Sequence, residues 1–137
     1  MATIALVDDD PEVLGFYTEV LAEAGHQVHP FTTGREAARA CVECRFAMVI
    51  CDVNMPDIDG TQLMQTIRAQ RPHMPFIFIS GNPAHHFTQA IMGADRFFVK
   101  ADNPDVLLRM VESVLQVKGV DAGSSETDKQ AVVGEEQ

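Results

Sequence analysis

Five apolar runs divide the first hundred residues, and four of them stop at a residue that can do chemistry. "TIALV" (3–7) stops before Asp8, "FAMVIC" (46–51) before Asp52, "FIFIS" at Ser80 and "RFFVK" at Lys100. Short runs of bulky residues without helical spacing read as strands buried on both faces. The run "HQVHPF" (26–31) is weaker: it alternates, and Pro30 cannot donate to a ladder, which places it at a sheet edge.

Helical spacing fills the intervals. Asp10 caps a helix with Pro11 at its first position, and Val13, Leu14, Tyr17, Val20, Leu21 and Ala24 recur at helical spacing until Gly25 closes it. A second helix lies in 32–44 with Ala37, Ala40, Cys41 and Cys44 inward, and a third runs from Thr61, taken as its cap, to about Gln70 on Leu63, Met64 and Ile67. Gly81, Asn82 and Pro83 open a short fourth helix with a thin apolar face of Phe87, Ile91 and Ala94. Asn103 and Pro104 start a fifth, which turns Val106, Leu107, Met110, Val111, Val114 and Leu115 inward.

Strands alternating with helices predict an α/β protein: a flavodoxin-like, doubly wound, five-stranded parallel sheet of order 2-1-3-4-5 with five helices. Such sheets bind ligands at the carboxyl ends of the strands, where the strand order switches, here between strands 1 and 3. That topology makes Asp8, Asp9 and Asp52 neighbours.

At 137 residues, the chain suits one domain, expected over 1–118. Residues 119–137 hold five acids against Lys129, lack bulk, and read as an acidic linker or tail. The net charge of −10 excludes direct nucleic-acid binding, which needs clustered Lys and Arg. No apolar run spans a bilayer and no basic n-region precedes the first strand, so no membrane segment or signal peptide is expected, and the location is cytoplasmic. The pair Cys41 and Cys44 lacks the second pair of ligands that a zinc site needs. His85 and His86 point about 100° apart on a helix and make a poor ligand pair.

Carboxylates crowded at one sheet edge repel one another by about 4 kcal/mol for a pair about 4 Å apart at an effective dielectric of about 20. A cation relieves this, and oxygen ligands with few protein contacts point to Mg2+. Lys100 supplies a compact positive charge and Ser80 a hydroxyl, both suited to phosphoryl oxygens. A cation, a carboxylate nucleophile, a lysine and a hydroxyl are what phosphoryl transfer to an aspartate requires.

"ALVDDD", "VICDVNMPDIDG", "FIFISG" and "FFVK", in that order, resemble the receiver domain of bacterial two-component response regulators. The resemblance implies Asp52 as phosphoacceptor and Asp8 and Asp9 as the acidic Mg2+ pair, with the Asn54 backbone carbonyl as a further ligand. It also implies Lys100 as the phosphate-binding lysine, Ser80 as the switch hydroxyl and Phe97 as the aromatic switch position. The phosphoryl donor would be a sensor histidine kinase or phosphotransfer protein. The face of helix 4, strand 5 and helix 5 would then be remodelled to control an output domain or protein partner, with homodimerisation through that face a further option. The chain would be a regulator rather than an enzyme, limited to its own phosphorylation and phosphoaspartate hydrolysis.

Two positions tune the pattern. Proline usually follows the lysine through a cis peptide, whereas Ala101 stands here, and a cis bond to alanine costs about 2.5–4 kcal/mol; a trans, differently shaped loop is expected. Gly81 beside Ser80 leaves a phosphoryl group open to water. The alternatives are a small haloacid-dehalogenase-like phosphatase using Asp8 and Asp10, a flavodoxin-like FMN carrier, and a partner-binding domain without phosphorylation. The first leaves Asp52 idle, the second meets three aspartates where a phosphate would sit, and the third leaves the full set of site residues without use.

Overall fold

All five runs become strands of one parallel sheet: those apolar on both faces are stable only when helices cover both sides, and the alternating run 26–31 takes an edge. In the computed structural model, which describes residues 2–82, 84 and 93–117, the order is β1 (Thr3–Val7), α1 (Pro11–Glu23), β2 (Gln27–Phe31), α2 (Gly34–Glu43), β3 (Met48–Asp52), α3 (Gly60–Gln70), β4 (Phe76–Ser80), β5 (Arg96–Val99) and α4 (Pro104–Val117). The sheet order is β2-β1-β3-β4-β5, the flavodoxin-like order expected. Val7 lies opposite Cys51, Asp52 opposite Ile79, and Ser80 opposite Val99, so the carboxyl ends of four strands are level with one another.

Alternation along each strand divides the core in two. Ile4, Leu6, Ile50, Ile77, Ile79 and Phe98 pack with Leu14, Tyr17 and Leu21 of α1 and Leu107, Val111 and Val114 of α4. On the other face Ala5, Val7, Val49, Cys51, Phe76, Phe78 and Phe97 meet Ala37 and Cys41 of α2 and Leu63, Met64 and Ile67 of α3. The most buried large side chains therefore come mainly from the strands, which explains why the strands dominate the sequence pattern.

Three expectations need correction. Asp59, not Thr61, caps α3: its carboxylate accepts from the Gln62 N–H while the Gln62 side chain accepts from the Asp59 N–H, a reciprocal box that Thr61 cannot form from within the helix. Cys44 is exposed at the end of α2 rather than inward, because the helix stops at Glu43 and the chain turns to extended backbone there. Phe46 and Ala47 lead into β3 half-buried instead of belonging to it. Four helices stand among the described residues. Most of the short fourth helix of the pattern, with His85, His86, Phe87 and Ile91, lies outside them, as does the segment 119–137. The fifth helix of the pattern is α4.

Candidate functional site

The carboxyl edge of the sheet gathers its polar residues because each sits one step beyond, or at the last step of, a buried strand. Asp8 extends β1 by donating its N–H to the Phe31 carbonyl at 3.1 Å, and it is 1% exposed. Its Oδ1 accepts the Asp10 N–H at 3.0 Å, while Asp10 caps α1 by accepting the Glu12 N–H at 2.9 Å. Asp9 projects into solvent and Asp52 closes β3, nearly buried. Carboxylate oxygens of Asp8, Asp9 and Asp52 all fall within 4.8 Å of one another.

Lys100 crosses from the far side of the site. Its Nζ lies 2.9 Å from Asp8 Oδ2 and 3.7 Å from Asp52 Oδ1. The first contact is a close charge pair at hydrogen-bond distance, made to a carboxylate oxygen that is itself buried. One ammonium against three carboxylates leaves the cluster negative.

Electrostatics follow from this crowding. Burial pushes the Asp52 carboxyl up from 3.8 to about 6, with the Asp8 charge adding to the rise and Lys100 and the Asn54 backbone N–H opposing it. Burial alone would lower the Lys100 ammonium, but the carboxylates of Asp8 and Asp52 outweigh it and the net shift is upward. A divalent cation among these oxygens would relieve the repulsion, since the three carboxylates each offer an oxygen within 4.8 Å of the others. The donor set therefore fits a hard cation held by oxygen.

Ser80 ends β4 one residue beyond the partner of Asp52, is buried, and accepts the Asn82 N–H on its hydroxyl at 3.0 Å. Its carbonyl accepts the Lys100 N–H at 2.8 Å, so the hydroxyl and the lysine share one backbone junction. Phe97, opposite Phe78 in β5, is buried on the α2/α3 side. Asn54 is exposed in the loop after β3, with its N–H turned to the Asp52 carboxylate. The Lys100–Ala101 bond is trans, as expected, since no cis peptide occurs among the described residues.

Three groups make supporting contacts that the sequence did not specify. Gly60 must lack a side chain: a Cβ there would stand 2.6 Å from Phe78 Cε1 and 2.9 Å from the Asp52 carbonyl oxygen. Asp57 ties the loop after β3 to the start of α2 by accepting the Gly34 and Arg35 N–H groups at 3.1 and 3.0 Å. Tyr17 donates its hydroxyl to the Lys100 carbonyl at 3.3 Å. Only Tyr17 carried a signal, since a tyrosine at an inward helical position must find a partner for its hydroxyl; Gly60 and Asp57 depend on contacts between distant segments.

A family model described as the response regulator receiver domain matches residues 4–112. Curated relatives include the regulatory protein VanRc of Enterococcus gallinarum, 31% identical over 82% of this chain and 49% of its own length. The transcriptional regulatory protein PrrA of Mycobacterium leprae is 31% identical over 89% of this chain and 53% of its own. The chain spans about half the length of these relatives. Among solved structures, the response regulator TrrA of Thermotoga maritima in complex with Mg2+–BeF has a TM-score of 0.78 at 27% identity, covering 83% of this chain and 99% of that one. The chemotaxis protein CheY4 of Vibrio cholerae has a TM-score of 0.76 at 30% identity, covering 83% and 98%.

Proposed function

The chain belongs to the response regulator receiver domain family, whose members act in phosphorylation-dependent signalling, and on that premise we propose that Asp52 is its phosphoacceptor. A carboxylate oxygen of Asp52 attacks the phosphorus of a phosphohistidine on a sensor histidine kinase or phosphotransfer protein. The new O–P bond forms as the P–N bond breaks, and the imidazole leaves with the bonding electron pair. The observation that carries this reading is the placement of Lys100 Nζ between the carboxylates of Asp8 and Asp52, because the same ammonium can meet the phosphoryl oxygens as they arrive.

Asp8, Asp9, Asp52 and the Asn54 backbone carbonyl would hold Mg2+, which when bound neutralises charge on the phosphoryl oxygens. The protein's own residues do the rest. Lys100 exchanges a carboxylate partner for the phosphoryl group, and the Ser80 hydroxyl, now engaged with Asn82, turns to donate to it. Motion at Ser80 passes to Lys100 through their shared backbone hydrogen bond. Phe97 has no hydroxyl, so aromatic switching at that position works through burial. Gly81 is exposed, and a Cβ there would meet nothing within 4 Å, which supports a phosphoaspartate open to water.

In this reading the chain is a regulator, limited to its own phosphorylation and dephosphorylation, working in the cytoplasm. No helix among the described residues is long and apolar enough to cross a membrane. The output is an adjoining domain or a separate protein that reads the face of the fourth helix of the pattern, β5 and α4, with homodimerisation through that face as an alternative route. Residues 119–137 serve as a linker or tail. The phosphatase reading has no support: Asp10, the second acid of its motif, caps α1, and the relatives described above are regulators.

Intact-mass analysis with acetyl phosphate and Mg2+ tests the proposal. Wild type is expected to gain one phosphoryl group and Asp52→Asn none. An unmodified wild type, or equal uptake by Asp52→Asn, would overturn it.

A further inference from the structure

We propose that Tyr17 is a positioning residue for Lys100: by donating its hydroxyl to the Lys100 carbonyl oxygen, it fixes the loop from which the ammonium reaches Asp8 and Asp52. This inference rests on the reading of Asp52 as phosphoacceptor and adds a residue of α1 to that site.

Tyr17 is the only tyrosine of the chain and is 4% exposed. Its ring is held edge-to-face by Phe16 at 4.9 Å and by Phe98 of β5 at 6.0 Å. A ring clamped in this way carries its hydroxyl to a set point, and that point is the backbone 83 residues further along the chain. The Lys100 N–H already donates to Ser80 at 2.8 Å, and the Asp102 N–H donates to the Val99 carbonyl at 2.9 Å to close a turn. Tyr17 therefore completes the restraint: both backbone polar groups of Lys100 are tied, one to β4 and one to α1.

The restraint matters because the lysine stem is long and its rotamers are many, so the origin of the stem limits where the ammonium goes. Ala101 follows Lys100 through a trans peptide, so no proline ring stiffens this loop, and the stiffness has to come from hydrogen bonds. Burial pushes the Tyr17 hydroxyl above its ordinary range, ahead of the opposing effect of Lys100, which keeps it a proton donor at neutral pH.

The test is a double-mutant cycle read by the rate of acetyl-phosphate labelling of the full chain, with Tyr17→Phe, Lys100→Met and both together, and thermal unfolding as a check that each variant is folded. Tyr17→Phe keeps the ring and removes only the oxygen. Labelling is expected to slow about two- to tenfold, the range of one net hydrogen bond, with no further slowing when the change is added to Lys100→Met. Longer labelling at raised acetyl phosphate concentration times the slow Lys100→Met background. Unchanged labelling by Tyr17→Phe, or an equal loss in both backgrounds, overturns the positioning role while Asp52 phosphorylation stands. A wild type that takes up no phosphoryl group overturns the functional reading and the positioning role with it.

Discussion

Replacing Asp52 with asparagine should make the protein more stable at neutral pH when divalent cations are chelated. The ionised carboxylate is held against its preference, since burial and the Asp8 charge raise it from 3.8 to about 6. At about 1.36 kcal/mol per pH unit, that rise corresponds to about 3 kcal/mol opposing folding when Asp52 is charged. The side chain is 13% exposed, so solvent takes little from this figure. The sign follows from proton binding. Between pH 3.8 and about 6 the folded state holds a proton that the unfolded state has lost, so the Asp52 contribution to stability falls as pH rises through that window. Below the window both states are protonated, and the cost is absent. Urea unfolding followed by circular dichroism suits a chain without tryptophan. Asp52→Asn is expected to exceed wild type by about 2–3 kcal/mol at pH 7.5, with the gap closing below pH 4 and narrowing when Mg2+ is added. An Asp52→Asn protein no more stable than wild type at pH 7.5, or a gap that widens on acidification, would refute the reasoning.

Gly60→Ala is expected to lose about 1–3 kcal/mol of stability and to slow labelling, because its Cβ collides with Phe78 and with the backbone oxygen of Asp52 itself; unchanged unfolding would show that the close approach is not needed. Arg68→Gln should cost about 1–3 kcal/mol, since Arg68 donates to the Met74 and Gly93 carbonyls and to Asp95, which also receives the Phe76 N–H. Hydrogen exchange should quicken at the Phe76 and Asp95 amides, and protection equal to wild type would count against the network. Asp57→Asn should cost about 0.5–1 kcal/mol at neutral pH. Burial acts to raise the Asp57 carboxyl, but the Gly34 and Arg35 N–H groups outweigh it and hold it below its ordinary value. Its contribution is therefore present above pH 3.8 and lost as pH falls through the lowered value. Stability curves of Asp57→Asn and wild type that fail to converge in acid would contradict this.

Strands were legible because fully buried strands need apolar residues on both faces, so Thr3–Val7 and Phe76–Ser80 stand out without reference to any neighbour. Their polar ends were legible for the same reason: Asp8, Asp52, Ser80 and Lys100 close runs that are otherwise mostly apolar. Helix boundaries were less so. Thr61 and Asp59 are both competent caps, and the choice depends on whether Gln62 can reach back to the residue three before it. Cys44 shares the inward spacing of Ala37 and Cys41, but the helix ends just before it, which no periodicity reports.

The alternation of elements determined by itself the parallel sheet and the carboxyl edge that carries the site, because chain connectivity and burial leave a parallel sheet few other solutions. The flavodoxin-like order, one of the few available, gathers the site residues there. Only the tertiary structure decided how those residues are held. It set Lys100 Nζ between two carboxylates, Tyr17 on the Lys100 carbonyl, Asp57 across the start of α2 and Gly60 against the ring of Phe78. Each of these contacts joins segments distant in sequence over a few ångströms, and such distances depend on the packing of whole layers rather than on the residues of any one element.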